Sequence, residues 1–322
     1  MTTKPMMPER EADLLRAPGN LPGHWSYSQL NTYETCPQMF YLERLMKEPP
    51  LTINGGGIGG TAGHRSVEIC EAEKLWEDDS NIDLMGELFV ANFREATRVE
   101  QEKHPDTPIR WGGRKTKNFP DGENEYWWEG PAGGPLMMKR YAARRRDWAE
   151  QGMSVIEGGT EMRVMTEVPY TVEEPQIVDG EAVMVEVAKS KPIIAYIDIV
   201  LLVRIGPNGI ERGIADWKFG SLMSCKPRQM VVYSYALKQS HDWDVTFGDI
   251  MWMRGKDVDT QVRRVEIPAE LRDQVPAWYG EMAKSIDAGI FGPKPNTLCA
   301  SCAVRDRCSW GRHISEKELS DE

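Results

Sequence analysis

Ile193-Ile194-Ala195-Tyr196-Ile197-Asp198-Ile199-Val200-Leu201-Leu202-Val203 is the most apolar stretch of this 322-residue chain, and one carboxylate interrupts it. A continuous Ile- and Val-rich run suits a strand buried on both faces. An ionised carboxylate inside such a strand costs several kcal/mol unless a cation or hydrogen-bond donors compensate it. A strand end near solvent or an arginine partner would be the purely structural answer. A bound metal ion would be the functional one.

The next apolar stretch favours the metal. Gly206-Pro207-Asn208-Gly209 is a turn sequence between Pro192–Arg204 and Gly209–Trp217, which predicts a hairpin. In Ile214-Ala215-Asp216-Trp217-Lys218, strand alternation puts Asp216 and Lys218 on one face and Trp217 on the other. The hairpin therefore lets Asp198 and Asp216 converge on one divalent ion, and hard oxygen ligands suit Mg²⁺ or Mn²⁺. Lys218 then stands where it can orient or help deprotonate a water, or steady charge on a phosphate. A lone Asp-x-Lys is usually a surface ion pair. The apolar context, the turn and the paired carboxylates together single this one out.

The rest of the second half extends the sheet. Val155–Tyr170 and Ala182–Ala188 have strand texture, as does Val245–Arg254, and Pro227–Gln239 and Ala269–Ala288 read as helices. The first half is helical. Ser26 and Gln29 form a capping-box pattern opening a helix that should stop at Cys36-Pro37, followed by a short helix Gln38–Leu45. The Gly-rich run Asn54–Gly63 lacks the Lys-Ser or Lys-Thr of a phosphate loop and reads as a flexible lead-in to a helix from His64 to Trp76. Helical texture returns over 81–103. Residues 104–135 read as a surface insertion or lid, and Leu136–Gln151 as a basic helix. The expected fold is α/β, a mixed central sheet flanked by helices. The expected division is an arm (1–24), a helical region (25–153), a core (154–290), a cysteine segment (291–314) and an acidic tail (315–322).

Apolar residues make up 40% and charged residues 28%, which is ordinary for a soluble globular protein. No apolar run is long enough to span a bilayer, and Met1–Arg10 lacks the apolar stretch of a signal peptide, so a cytoplasmic protein is expected. There, six cysteines read as thiols and metal ligands. The net charge of −11 argues against general affinity for nucleic acid, although phosphate binding needs only a local positive surface. Arg110, Arg114, Lys115 and Lys117, or Lys139, Arg140, Arg144, Arg145 and Arg146, could supply one; taken singly, each stretch reads as a solvated face.

Cys299-Ala300-Ser301-Cys302 followed by Cys308 has the spacing of a zinc or iron–sulfur site that wants a fourth ligand. His313 would complete a zinc knuckle, and Cys36 is the distant alternative. Cys70 and Cys225 fit neither pattern.

Asp198 followed by Asp216-Trp217-Lys218 resembles the metal-binding core of the PD-(D/E)XK nucleases, in particular the RecB-like branch. The resemblance extends to Gln229-Met230-Val231-Val232-Tyr233, similar to the branch's Gln and Tyr after the lysine, and to Gly63-His64, similar to its additional metal-ligand histidine. It assigns Glu167 to the acidic position on the first core strand, with Glu161 as competitor, and makes the Trp217 carbonyl a further ligand. Tyr196 stands where the family usually has Gly, which implies a tighter pocket. Tyr33-Glu34-Thr35-Cys36-Pro37-Gln38-Met39-Phe40-Tyr41 is similar to the N-terminal motif of the branch members with an iron–sulfur cluster, which include AddB and the CRISPR-associated adaptation nucleases. That implies a 4Fe-4S cluster on Cys36, Cys299, Cys302 and Cys308, with zinc as the alternative.

The resemblance thus implies an exonuclease acting on DNA ends or single strands, able to work beside a helicase or recombination partner, and suits a phage origin. Two rival readings remain. One is a non-catalytic DNA-binding subunit that kept the fold. The other is a zinc-stabilised enzyme acting on a different phosphate ester.

Overall fold

The computed structural model describes residues 22–111, 124–205, 209–220, 226–255 and 262–313. Most of the expected arm, Arg114, Lys115 and Lys117, the turn 206–208, Cys225 and the acidic tail lie outside the described residues. Two compact units are built from interleaved stretches. A core unit comprises Leu51–Met165 and Ala195–Asp273; a terminal unit comprises the chain up to Pro50, Thr166–Ile194 and the chain from Gln274 on.

In the terminal unit, helix α1 (Tyr27–Thr35) begins as the capping box predicts. The Gln29 N–H donates to Ser26 Oγ and the Ser26 N–H to Gln29 Oε1. It ends at Cys36, and the expected second helix is one turn, α2 (Pro37–Phe40), followed by a π-turn at Tyr41–Leu45. In the core unit, strand β1 (Ile53–Asn54) leads directly into helix α3 (Gly55–Ala72). The Gly-rich run is therefore helix, not a lead-in, and the reason is packing. A Cβ on Gly59 would sit 2.3 Å from the Trp128 ring and one on Gly63 2.5 Å from the Phe219 ring. The glycines let those rings press against the helix backbone, which offsets their poor helix propensity.

Helix α4 (Ile82–Lys103) follows. The expected insertion is partly core: β2 (Ile109–Arg110) pairs in parallel with β1, and helix α5 (Glu125–Glu129) buries Trp128. Helix α6 (Gly134–Glu150) is the basic helix, but Arg144 and Arg145 are buried and not solvated.

Strands β3 (Ser154–Val178) and β4 (Glu181–Ile205) are each 25 residues long, where shorter separate strands were expected. Asp179 and Gly180 join them with φ of 54° and 87°. Two positive-φ residues make the tight hairpin turn that matches strand twist, and Asp-Gly is its favoured sequence. Strand β5 (Gly209–Lys218) pairs with β4 antiparallel from Ile205↔Gly209 to Ile199↔Ala215. After helix α7 (Pro227–His241), β6 (Val245–Trp252) lies parallel to β5, and β7 (Val262–Glu266) closes the order β3-β4-β5-β6-β7. β7 was not anticipated, because Arg263, Arg264 and Glu266 mask its alternation. The expected Ala269–Ala288 helix is split into α8 (Ala269–Arg272) and, in the terminal unit, α9 (Val275–Asp287). Pro276 sits in the first turn of α9, where it cannot continue a preceding helix.

One face of the sheet carries Ile199, Leu201, Ala215, Trp217 and Met251 against Phe89, Phe93, Trp128, Met137, Tyr141 and Trp148 from the helices. Burying each such side chain contributes roughly 1.5–3 kcal/mol. That layer fixes the strands whose opposite-facing residues form the site.

Candidate active site

The ladder between β4 and β5 ends at Ile199↔Ala215. One step beyond, the main-chain bond is replaced by a side chain: Asp198 Oδ2 accepts the Trp217 N–H at 2.6 Å. Asp198 is thereby held by the backbone of the strand that carries Asp216 and Lys218. Trp217 turns its ring the other way, against Tyr141 and Trp148 at 5.2 and 5.5 Å. Asp198 and Asp216 are both buried.

His64, on α3, lies with its Nδ1 3.4 Å from Asp198 Oδ2 and 3.3 Å from Glu161 Oε1. Its ring meets Phe219 edge-on at 5.6 Å, the aromatic that Gly63 admits. One potential ligand atom from each of His64, Glu161 and Asp198 falls within 4.8 Å of the others. The carboxylate from β3 in this group is Glu161. Glu167 is six residues further along, on an exposed part of the strand. Glu161 has a φ of 47°, left-handed and uncommon for a non-glycine, three residues after Gly158 at 69°. Such a conformation costs about 1–2 kcal/mol and bends the strand so that side chains change face. The Gly158-Gly159 pair was the signal for it in the sequence.

Lys218 Nζ lies 2.5 Å from Asp216 Oδ2 and 3.5 Å from Gln229 Oε1. Gln229 Nε2 donates to Asp216 Oδ1 at 3.2 Å and to Tyr233 Oη at 2.7 Å, since residues four apart share a face of α7. Tyr196 is more than half exposed, so it does not narrow the pocket as the resemblance implied.

The electrostatics are strained. Burial raises the Asp198 pKa, and the charges of Asp216 and Glu161 add to this against His64 and the Trp217 N–H. Burial alone would lower the His64 pKa, but Asp198, Glu161 and Asp216 outweigh it and the net shift is upward. Tyr233 is raised well above its ordinary value by burial and by Asp216 and Asp198, so its hydroxyl keeps its proton.

A family model described as the PD-(D/E)XK nuclease superfamily matches residues 24–309. The chain belongs to this superfamily. No curated protein matches it in sequence. PD-(D/E)XK enzymes are nucleases that use Mg²⁺ or Mn²⁺, and the donor set fits such an ion. Asp216 Oδ2 and Glu161 Oε1 are buried without a hydrogen bond of proper geometry, and three carboxylates crowd one place. A divalent cation would satisfy both deficits.

The terminal unit of this PD-(D/E)XK chain holds a second candidate site. Cys36, Cys299, Cys302 and Cys308 line one cavity, with Met39, Leu42, Val304 and Trp310. Cys36 Sγ accepts the Lys294 N–H at 3.5 Å and Cys299 Sγ the Asn296 N–H at 3.4 Å. Lys294 Nζ and Asn296 Nδ2 reach the Glu34 and Thr35 carbonyls at 2.8 and 3.2 Å, strapping the C-terminal segment to the end of α1. Burial pushes the Cys302 thiol up to about 11, against the Val304 N–H, with Glu43, Cys308 and Cys36 adding to the rise. His313 is not among the lining residues. Cys70 is buried in the helical layer of the core unit.

No helix among the described residues is long and apolar enough to cross a membrane.

Proposed function

We propose that this chain is a metal-dependent DNA exonuclease of the RecB-like branch, with a 4Fe-4S cluster in its terminal unit. The observation that carries the first part is the grouping of Asp198, Glu161 and His64, with Asp216 acting electrostatically on Asp198 and His64 and paired with Lys218, in a chain of this superfamily.

Asp198 and Asp216 would hold a Mg²⁺ or Mn²⁺ ion, with His64, Glu161 and the Trp217 carbonyl assisting. The ion supplies positive charge where a phosphodiester becomes more negative as water attacks it. The chain's own groups do the positioning. Lys218 Nζ stands beside Asp216 at the edge of the site, where it would be in reach of an attacking water or a phosphate oxygen. Gln229 restrains both Asp216 and Lys218, and Tyr233 restrains Gln229. The Trp217 N–H fixes the orientation of the Asp198 carboxylate.

For the cluster, the support is the dispersal of the thiols around one apolar cavity with N–H donors to sulfur. A tetrahedral zinc, with bonds of about 2.3 Å, needs sulfurs roughly 4 Å apart. Among the described residues no three sulfurs lie within 4.8 Å of one another, so the spacing favours a wider group.

End-labelled linear DNA and a covalently closed circle, incubated with Mn²⁺ or chelator, test the nuclease. Metal-dependent loss of the linear DNA alone, abolished in Lys218→Ala, is expected; cleavage of the circle would overturn the exonuclease assignment. Iron and sulfide analysis with an anaerobic visible spectrum tests the cluster, and a colourless protein with one zinc would sink it.

A further inference from the structure

The basic helix α6 is mostly committed within the protein, and the chain as a whole carries a net charge of −11. Arg144 pairs with Asp147 at 2.7 Å, Arg145 with Glu71 and the Trp76 ring, and Arg146 with Asp79 at 2.7 Å. Ring stacking is a grip on nucleic acid that needs no positive charge, because every base has a π-face. Beside the carboxylate site stands an exposed ring, Tyr196 of β4. Strand alternation fixes its face. Ile193, Ala195, Ile197 and Ile199 are buried, and Ile199 belongs to the layer against the helices. Tyr196 therefore shares the opposite face with Asp198, two residues on and about 7 Å away along the strand. Among the described residues of β4 none has the positive φ that bends β3 at Glu161. The last β4–β5 pair is Ile199↔Ala215. Carried three residues further, that register sets Asp198 level with Asp216 and Tyr196 level with Lys218.

The place gives the ring its use. Tyr196 is 55% exposed, and among the described residues no hydrogen bond, ion pair or ring contact holds it. Single exposed aromatics are common on protein surfaces, but this one stands one row from the groups proposed to cut the strand. A base inside a duplex has both faces covered by its neighbours. Taking it out costs unstacking and unpairing energy, and the cost is least for a strand that is already single. We propose that Tyr196 stacks on the base of a nucleotide next to the bond cut beside Lys218, so that the enzyme takes its DNA as an unpaired strand. This rests on the nuclease reading and adds to it the form of DNA that is taken.

The test is steady-state cleavage of end-labelled DNA in Mn²⁺, using the full chain with its metals. One sequence is offered as a single strand, as a blunt duplex, and as a single strand whose two outermost nucleotides at each end lack bases. The parent should take the intact single strand with a lower KM than the duplex. Tyr196→Thr, which suits an exposed strand position, should raise KM for the single strand about fivefold to a hundredfold, with kcat less affected and melting unchanged. Tyr196→Phe keeps the ring and should recover most of that loss. The abasic strand should raise the parent's KM by a similar factor and leave Tyr196→Thr little changed, as expected when ring and base belong to one contact. A Tyr196→Thr protein that melts like the parent and keeps its KM would overturn the inference. So would an abasic penalty as large in the variant as in the parent, or a parent that takes the blunt duplex as readily as the single strand. If Tyr196→Thr melts early, the abasic strand on the parent decides alone, and an unchanged KM there overturns the stack. A parent that cleaves none of these DNAs would instead remove the nuclease reading, and the stack with it.

Discussion

At the carboxylate site the acidic side chains leave strands β3, β4 and β5, and His64 leaves an 18-residue helix, so long-range packing places every group. At the thiol cavity Cys36 lies at the junction of α1 and α2, while Cys299, Cys302 and Cys308 sit in or at the ends of short 3₁₀ turns. The buried cluster beside those turns consists of Tyr41, Leu42 and Val304. The first site is organised before anything binds, at the cost of crowded negative charge. The second has little apolar burial of its own, and a bound metal group would supply much of its order.

That contrast can be broken in four places. Lys218→Ala should lower the cleavage rate about a thousandfold while leaving the melting temperature nearly unchanged, as expected when a prebuilt site loses a chemical group. A matching loss of stability, read by calorimetry, would show that the site is not prebuilt. Cys36→Ser should do the reverse. It should release iron and cost on the order of 3 kcal/mol of stability by opening a loop that spans most of the chain, measured by denaturant unfolding and metal analysis. Retention of iron and stability would remove Cys36 from the cluster. Glu161→Gln should weaken Mg²⁺ or Mn²⁺ binding roughly tenfold to a hundredfold by calorimetric titration, and Glu167→Gln should not. The opposite order would return the ligand to Glu167. The smallest effect is Gly59→Ala. Its new methyl would meet the Trp128 ring and cost about 1–3 kcal/mol by thermal melting, with the metal site intact.

Asp198, Asp216 and Lys218 were legible because a charge in an apolar strand and a two-residue alternation are local signals. Gln229 and Tyr233 came from the family resemblance, and their four-residue spacing added only that they share a helix face. The helix start at Ser26 was legible because a capping box is written in four residues. What was misread depended on partners distant in sequence. Nothing near Gly59 or Gly63 announces Trp128 or Phe219, so the helix looked like a loop. The committed carboxylates of Glu71 and Asp79 lie more than sixty residues before their arginines, so α6 looked solvated. Glu167 was preferred to Glu161, the residue that the structure groups with His64 and Asp198, because a left-handed residue inside a strand undoes the counting that alternation relies on. The Asp179-Gly180 turn was local but overlooked, since the exposed strand ends around it, such as Glu173-Glu174-Pro175, lack an apolar rhythm.

The bond from the Trp217 amide to Asp198 makes one backbone proton a witness to the site. That amide is gripped by a carboxylate where its neighbours in the ladder are gripped by carbonyls. Any cation drawn to Asp198 competes for the same oxygen, so the nitrogen-15 resonance of Trp217 should move and its solvent exchange should quicken as Mg²⁺ is added. Occupancy could then be followed in the resting protein, with no DNA present and no turnover to wait for.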